Sequence, residues 1–264
     1  MTLLIAGGSG FLGTALAKAF RAAGHRVLIL TRRPQREGDV LWSTKPTDTT
    51  WRHALERSDA VINLAGVSIA GTRWTDERKR EIRASRMEPT VSLVSAIAAA
   101  TRPPAVFISS SAVGIYGVRG DEVITEETPA GNDFLASLCR DWETRAIEAS
   151  SRSRTVLLRS GVVLGRDGGA LPQLALPFRL FAGGPVGTGH QYLSWISLAD
   201  WIGIVQWTLT KNHVSGPINL TAPQPVTNAE FARTMGRVLG RPSLVTTPAF
   251  IVNARYGPAK RGAG

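Results

Sequence analysis

The stretch Gly7-Gly8-Ser9-Gly10-Phe11-Leu12-Gly13 decides the fold of this chain. It follows a short apolar run at residues 2–6 and opens a segment, residues 10–23, in which apolar side chains recur at helical spacing. A glycine-rich turn that joins a buried strand to a helix is typical of a nucleotide-binding α/β sheet. The spacing therefore predicts a dinucleotide-binding turn rather than an ordinary loop.

Each glycine of the turn has a separate task in such a motif. Gly7 permits the tight turn, Gly10 lets a pyrophosphate approach the backbone, and Gly13 lets the helix pack closely against the strand. Phe11 and Leu12 belong to the first helical turn, whose free N–H groups would face the phosphates. A glycine-rich turn that holds no ligand is the alternative.

The end of the second predicted strand, residues 26–30, distinguishes NAD from NADP. An acidic side chain at that point would accept hydrogen bonds from the ribose 2′-hydroxyl group. The chain has Thr31-Arg32-Arg33-Pro34 there instead. Arg32 and Arg33 could bind a 2′-phosphate, with Thr31 donating a further hydrogen bond, so the pattern favours NADP(H) over NAD(H). Two solvated loop arginines are the other interpretation.

Strand-like and helix-like segments continue to alternate along the chain, which predicts a Rossmann-type α/β fold with a doubly wound parallel sheet over residues 1–160. The further predicted strands are at 41–42, 60–63, 105–109 and 155–159, and the further helices are at 75–100 and 134–149. Pro89 falls inside the first of these helices and predicts a kink or a restart. Small residues after the strand at 60–63, Leu64, Ala65 and Gly66, would let a nucleotide lie against the backbone.

Residues 161–264 differ in composition from the first part of the chain, and we predict that they form a smaller, substrate-binding lobe. This part is rich in glycine, with helices expected near 198–210 and 228–239 and a strand near 218–220. We expect it to cover the carboxyl ends of the sheet strands, where doubly wound folds bind ligands. The last residues, 257–264, have the composition of a frayed tail.

Composition narrows the function classes. The chain has 264 residues, 43% of them hydrophobic, which suffices for a large core. Its single cysteine, Cys139, excludes an internal disulfide and argues against a cysteine-based zinc site, and we expect no metal. No segment reads as a signal peptide or membrane span, so a cytoplasmic protein without membrane contact is expected. The net charge of +11 comes from scattered lysines and arginines, so no nucleic-acid partner is expected.

The chain resembles the atypical extended short-chain dehydrogenase/reductases, and more narrowly the "epimerase family" that includes the bacterial YfcH-like proteins. The resemblance rests on the N-terminal loop, on residues 63–66 and 109–117, and on four stretches at 73–86, 133–143, 159–165 and 176–191. It implies binding of NADP(H) and a small-molecule substrate whose identity the family leaves open. Carried over by position, it implies these cofactor contacts: Thr31, Arg32, Leu64, Ala65, Glu81, Arg86 and Val162. For Glu81 and Arg86, a salt-bridged surface helix is the alternative.

The sequence separates cofactor binding from catalysis. Such enzymes normally carry a Tyr and, four residues on, a Lys on the helix before the sixth strand. The helix predicted at 134–149 contains neither, and Leu135 and Cys139 are among the residues at the corresponding positions. The pair Tyr256 and Lys260 encloses a proline, so we interpret it as coincidental. Two functions remain: an NADP-dependent oxidoreductase or epimerase, and a non-catalytic NADP(H)-binding sensor or interaction module.

The candidate catalytic residues are those near the end of the fifth predicted strand. Ser111 could orient a substrate, and Tyr116 could serve as an acid without a lysine or could pack under the nicotinamide. His190 lies in a glycine-rich loop and could touch substrate or remain solvated. The substrate, the reaction direction and the oligomeric state do not follow from the sequence.

Overall fold

The computed structural model describes residues 1–70 and 73–246. Its centre is a parallel sheet of seven strands: β1 (Thr2–Ala6), β2 (Arg26–Thr31), β3 (Asp39–Leu41), β4 (Ala60–Asn63), β5 (Val106–Ala112), β6 (Arg154–Ser160) and β11 (Gly216–Leu220). Their order across the sheet is β11-β6-β5-β4-β1-β2-β3. The predicted Rossmann-type, doubly wound fold is confirmed, because the strand order runs in one direction from β1 to β3 and in the other from β4 onward.

Helices cover both faces of this sheet. They are α1 (Phe11–Ala22), α2 (Arg52–Glu56), α3 (Asp76–Ala99), α4 (Phe134–Ile147) and α6 (Leu198–Thr210), with short 3-10 turns at Val113–Tyr116 and Glu148–Ser151. One apolar core joins α1 and α6 to the sheet, and a second joins α2, α3 and α4 to the opposite face. The inner strands β1, β4, β5 and β6 are buried along most of their length, which explains why they read as nearly continuous apolar runs.

Helices α3 and α4 each begin where a side chain accepts from a free backbone N–H group. Thr75 accepts from the N–H of Arg78 at the start of α3, and Asp133 accepts from that of Ala136 at the start of α4. The start of α1 differs, because its N-cap is Gly10, which has no side chain to cap the helix. The N-terminus of α1 therefore keeps donors available for a ligand.

The helix at residues 75–100 corrects one of the two outcomes predicted at Pro89. A kink or a restart was expected there, and α3 does not restart, because it runs without interruption through this residue. Pro89 is buried, and the following turn is tied down by a hydrogen bond of 2.7 Å from the Thr90 hydroxyl to the carbonyl of Arg86. Packing of the helix on α4 and the sheet thus outweighs the lost backbone hydrogen bond.

The remaining elements form smaller layers beside the main sheet. They are β7 (Val162–Gly165), β8 (Gly168–Gly169), α5 (Leu171–Arg179), β9 (Tyr192–Leu193), β10 (Trp195–Ser197), β12 (Val226–Thr227) and α7 (Asn228–Leu239). β7 pairs with β10 and β8, β9 pairs with β12, and α5 packs on α7. One strand expected in the smaller lobe, at 218–220, instead belongs to β11 and extends the main sheet beside β6.

Within the described residues, none of the helices has the length and apolar character needed to cross a bilayer. The tail at 257–264 and the Tyr256 and Lys260 pair lie outside the described residues.

Candidate active site

The glycine turn lies at the point where the strand order of the sheet reverses. Gly7 directly follows β1 and has a φ of 77°, which side-chain-bearing residues rarely adopt. A Cβ atom on Gly7 would stand 2.6 Å from the carbonyl carbon of Leu64, in the segment after β4. The two chain segments therefore meet through bare backbone at the crevice between β1 and β4.

The other two glycines divide the turn into a closed and an open side. A Cβ atom on Gly13 would lie 2.3 Å from the carbonyl oxygen of Gly7, so helix and turn touch there. At Gly10 the same atom would meet only the Gly7 carbonyl oxygen, at 3.4 Å, and the remaining space is open. With the N–H groups of Phe11 and Leu12 in the first turn of α1, this open side fits a pyrophosphate.

Phe11 links the turn to the smaller layers. Its ring packs against the hairpin of β7 and β8, where a Cβ atom on Gly165, Gly168 or Gly169 would approach it within 2.6 to 2.8 Å. The hairpin therefore needs glycine to lie this close to the ring. Leu12 is half-buried and packs against the core beneath α1.

The end of β2 carries exposed positive charge. Arg32 and Arg33 are exposed, and neither makes an ion pair with a described residue. The hydroxyl of the half-buried Thr31 accepts from the backbone N–H of Arg33 at 3.2 Å, which fixes the bend after the strand. The nearby acid, Asp39, is occupied by the N–H groups of Gln35 and Arg36 at 2.8 and 3.0 Å. This arrangement fits a 2′-phosphate better than a 2′-hydroxyl group.

The segment after β4 is held from below by a buried amide. Asn63 is fully buried, its Oδ1 atom accepts from the N–H of Ala65 at 3.2 Å, and its Nδ2 atom donates to Thr90 at 2.9 Å. Leu64 and Ala65 are half-buried and Gly66 is exposed, so backbone is presented to the crevice.

Glu81 and Arg86, on α3, are placed differently from each other. Glu81 is exposed and pairs with Arg78 on the same helix, as in the surface-helix alternative. Arg86 is half-buried and turns toward the sheet, where its Nη2 atom donates to the carbonyl of Val67 at 3.1 Å. The structure thus brings Arg86, and not Glu81, against the segment after β4.

Three adjacent strands present a row of polar residues at the carboxyl edge of the sheet. Ser111 on β5 is in register with Arg159 on β6, and Arg159 is in register with Asn219 on β11. In-register residues of parallel strands face the same side of a sheet, here the side covered by α4. The row therefore depends on the arrival of β11 beside β6.

Glu143 on α4 connects to this row. Its Oε1 atom accepts from the Ser111 hydroxyl at 2.5 Å and from Arg159 Nε at 2.9 Å. Its Oε2 atom accepts from Arg159 Nη2 at 2.8 Å. All three residues are at most 8% exposed, so this is a buried ion pair with a hydroxyl group attached.

Tyr116 is the fourth member of the cluster. It is 4% exposed, its hydroxyl donates to Asn219 Oδ1 at 2.7 Å, and it accepts from Arg159 Nη1 at 2.9 Å. The donor capacity of this hydroxyl is therefore used inside the protein. The geometry favours a positioning role for Tyr116, whereas Ser111 keeps a lone pair that is not used by these contacts.

The positive charge of Arg159 is stabilised by its hydrogen-bond partners, Glu143 and Tyr116. Burial by itself lowers the pKa of Arg159, but the hydrogen bonds that Arg159 donates to Glu143 and Tyr116, with the charge of the Glu143 carboxylate, outweigh burial and raise that pKa. Arg159 is therefore a permanent cation, and Glu143 is its anion.

Two further candidate residues, Val162 and His190, lie outside this cluster. Val162, at the start of β7, is half-buried and donates its N–H to the carbonyl of Ser194 at 2.8 Å, just beyond the end of β6. His190 is exposed in its loop.

Sequence reasoning missed Glu143, Arg159 and Asn219. Two of them left a signal, since Arg159 is a charged residue within an apolar strand and Glu143 lies on the apolar side of a helix. Charged residues in such positions are almost always paired. Nothing in the sequence indicated that Asn219 would join them.

Comparison with known proteins gives concordant results. The model of the "NAD dependent epimerase/dehydratase family" matches residues 3–220. The chain is 44% identical over 255 residues to the epimerase family protein Mb2239 of Mycobacterium bovis, covering 96% of this chain and 84% of the relative.

Solved structures agree with the sequence relatives. The human epimerase family protein SDR39U1, crystallised with NADPH, superposes with a TM-score of 0.88 at 38% identity, covering 98% of this chain and 87% of that one. A nucleoside-diphosphate sugar epimerase from Corynebacterium glutamicum superposes with a TM-score of 0.77 at 36% identity, covering 98% of this chain and 56% of that one.

Proposed function

The chain belongs to the NAD dependent epimerase/dehydratase family, and on this basis we propose that it is an NADP(H)-dependent oxidoreductase or epimerase acting on a small carbonyl or alcohol substrate. The observation that carries the proposal is the position of Ser111. Ser111 lies near the end of β5, and its hydroxyl is oriented by Glu143. The end of β5 is at the same edge of the sheet as the open glycine turn, and only β4 lies between β5 and β1.

The residues that would hold NADP(H) are those of the crevice. The N–H groups at the start of α1 and the open side of Gly10 bind the pyrophosphate, and the backbone after β4 supports the nucleotide. Arg32 and Arg33 bind the 2′-phosphate, and the human relative crystallised with NADPH supports this choice of cofactor. When bound, the nicotinamide supplies or accepts a hydride.

The chain's own contribution to the chemistry is to orient the substrate. The proton of Ser111 is directed to Glu143, which leaves the lone pairs of the serine oxygen free to accept a hydrogen bond from a substrate hydroxyl group. Arg159 holds the carboxylate that fixes this orientation, and Tyr116 holds Arg159.

The test has two stages. Wild-type protein is titrated with NADPH by calorimetry, and NADPH oxidation is then measured with a panel of aldehydes, ketones, enones and sugar nucleotides. With the first active substrate, we expect Ser111→Ala to abolish turnover and leave NADPH binding unchanged. Ser95→Ala, at an exposed position on α3, is the matched control and should behave as wild type.

A non-catalytic NADP(H)-binding module is the second candidate, and one observation favours it. Helix α4 contains neither a tyrosine nor a lysine, the two side chains that such enzymes normally use for proton transfer. Tight NADPH binding with no turnover on any class of substrate in the panel would decide for this module. Turnover that depends on Ser111 would decide against it.

A further inference from the structure

A cavity of about 480 Å³ lies in the smaller layers, where α5 and α7 pack beside β7. Its volume is within the range of small-molecule sites, about 300 to 1,000 Å³, and such sites are mostly apolar with a few polar groups. None of the residues that orient the Ser111 hydroxyl lines it. Most of its lining is hydrocarbon, from Leu164, Leu171, Ala175, Phe231, Met235 and Leu239.

One wall of this cavity continues to the carboxyl edge of the main sheet. Val163 on β7 and Ile196 on β10 belong to the core shared with α1 and α6, so Val162 and Leu164 face the opposite side of β7. Val162 comes two residues after the end of β6 and stands about 7 Å from Leu164 along the strand. The same face of β7 therefore leads from the edge where β5 and β6 end to the cavity.

An unpartnered hydrogen-bond donor lies on this face. Trp195 on β10 is in register with Val162, so the two side chains stand on the same side of the small sheet. The Nε1 atom of Trp195 is buried, and no described residue accepts its N–H group. A buried donor without an acceptor is costly. Because the side chain as a whole is only half-buried, a ligand oxygen could reach it and satisfy this group.

The lining of the cavity separates two classes of substrate. Among the described lining residues, Thr234 has the only uncharged hydrogen-bonding side chain, and there is no carboxylate or carboxamide. A sugar buried here would leave most of its hydroxyl groups without partners, at a cost for each of them. A hydrocarbon body would instead gain free energy by leaving water. The cavity therefore favours an apolar ligand over a sugar.

Two arginines add positive charge to this apolar lining. Arg166 follows β7 and Arg179 ends α5, and both line the cavity. Both are exposed, and neither forms an ion pair with a described residue. Their guanidinium groups are therefore available to donate charge-assisted hydrogen bonds to a carboxylate or phosphate. The complementary ligand is an apolar molecule that carries an anionic group.

We propose that the cavity holds the hydrocarbon body of the substrate, and that this substrate is a medium-chain carbonyl or alcohol compound with an anionic group. Its reacting oxygen accepts a hydrogen bond from Trp195, and Arg166 and Arg179 bind its anionic group. This inference rests on the oxidoreductase or epimerase function proposed above and names the class of substrate, which is amphipathic rather than a sugar nucleotide.

The cavity is tested first without turnover, by calorimetric titration with decanoate. We expect Ala175→Phe, which fills the cavity, to weaken decanoate binding by at least about tenfold, because the ligand loses buried apolar area. NADPH affinity should stay at the wild-type value. Ala98→Phe adds the same side chain at an exposed position of α3 and is the matched control. If Ala175→Phe is unfolded by circular dichroism, Leu171→Asp decides, because it places a negative charge in the lining at a half-buried position.

The anionic group is tested by comparing decanoate with decanol. Arg166→Gln and Arg179→Gln combined should weaken decanoate binding by about three- to tenfold, the range for two exposed charge pairs. Binding of decanol, which has no charge, should be unchanged. Equal weakening of both ligands would contradict a role of the two arginines in charge recognition.

The class of substrate is tested by NADPH oxidation with 10-oxodecanoate and with UDP-4-keto-6-deoxyglucose. We expect a higher kcat/KM for 10-oxodecanoate. Trp195→Phe should raise its KM by about two- to tenfold, the loss of one neutral hydrogen bond, and leave NADPH affinity unchanged. Trp42→Phe is the matched control, because it removes another unpartnered indole N–H group, inside the core that α2 covers, and should leave this KM unchanged.

The other outcomes overturn the inference. Failure of the wild type to bind decanoate, or equal binding by wild type and Ala175→Phe, would remove the ligand from the cavity. Faster turnover of the sugar nucleotide would refute the class of substrate and leave the proposed function in place. An unchanged KM in Trp195→Phe would remove the indole from the site. Failure to bind NADPH, or no turnover with any compound, would instead defeat the proposed function, and with it the assignment of decanoate-like molecules as substrates.

Discussion

Arg159 and Glu143 form a two-point ion pair beneath the carboxyl edge of the sheet, with Nε 2.9 Å from Oε1 and Nη2 2.8 Å from Oε2. The pair joins β6 to α4, and through the second lone pair of Oε1 it also holds the Ser111 hydroxyl. A buried pair of this kind contributes little net stability compared with an apolar replacement, but the loss of one partner leaves an uncompensated charge. Its value here is that it fixes the direction of one hydroxyl group.

This contrast predicts a strong coupling between the two residues. Glu143→Leu and Arg159→Met should each lower the free energy of unfolding by about 3 to 5 kcal/mol, because each leaves a buried charge unpaired. The double variant should be less destabilised than the sum of the two, as measured by urea unfolding. Strictly additive losses would contradict a direct pairing of these side chains.

The geometry of the glycine turn predicts different effects of alanine at Gly10 and at Gly7, one on cofactor affinity and the other on stability. Gly10→Ala should fold with near wild-type stability, since φ is −78° there and the new methyl group meets only one atom at 3.4 Å. It should nevertheless weaken NADPH binding, because that methyl group occupies the open side where the pyrophosphate would lie.

Gly7→Ala is the matched comparison. Its methyl group would clash with the Leu64 backbone at 2.6 Å, and its φ is unfavourable for alanine. Thermal unfolding should show a clearly lower Tm for Gly7→Ala than for Gly10→Ala. Equal Tm values, or unchanged NADPH affinity in Gly10→Ala, would count against this account of the turn.

The choice of cofactor is predicted to depend on Arg32. Arg32→Ala removes a charge-assisted contact to the 2′-phosphate, which should weaken NADPH binding by about tenfold or more and leave NADH binding nearly unchanged. Calorimetric titration of both cofactors measures this, with exposed Arg26→Ala, at the start of the same strand, as control. Equal losses for NADPH and NADH would refute the assignment of the 2′-phosphate site.

Cys139 predicts a loss of stability at alkaline pH. Burial raises its pKa to about 11 in the folded protein against an ordinary value of 9.0 for a free thiol, so between these pH values the folded state binds more protons than the unfolded state. The free energy of unfolding therefore falls as the pH rises through this window, by at most about 2 to 3 kcal/mol.

The variant Cys139→Ala isolates this contribution, because the chain has no other cysteine. Urea unfolding of both proteins at pH 8 and near pH 10.5 should show a steeper loss for the wild type, since other alkaline titrations are common to both. Parallel losses in the two proteins would show that the thiol is not buried in this way.

Local sequence patterns determined the nucleotide-binding part of this protein. The strand at Thr2–Ala6, the glycine turn and α1 follow from a short apolar run, three glycines and helical periodicity, all within some twenty residues. The position of Arg32 and Arg33 could also be predicted from local sequence, because it depends only on where β2 ends. The resemblance to the family implied that Arg86 is a cofactor contact, but the contacts of Arg86 within the protein could not be predicted from the sequence.

Tertiary structure decided the rest. Whether α3 breaks at Pro89 depended on packing against α4, which no local pattern encodes. Ser111 and Arg159 come together because β5 pairs with β6, and Asn219 joins them because β11 returns to the main sheet beside β6. Residues so far apart in the chain are brought together by sheet register, and their hydrogen bonds form only once the strands are paired and covered by α4. Local sequence patterns could therefore predict the cofactor-binding turn. Long-range strand pairing determined which polar residues lie along the same edge of the sheet.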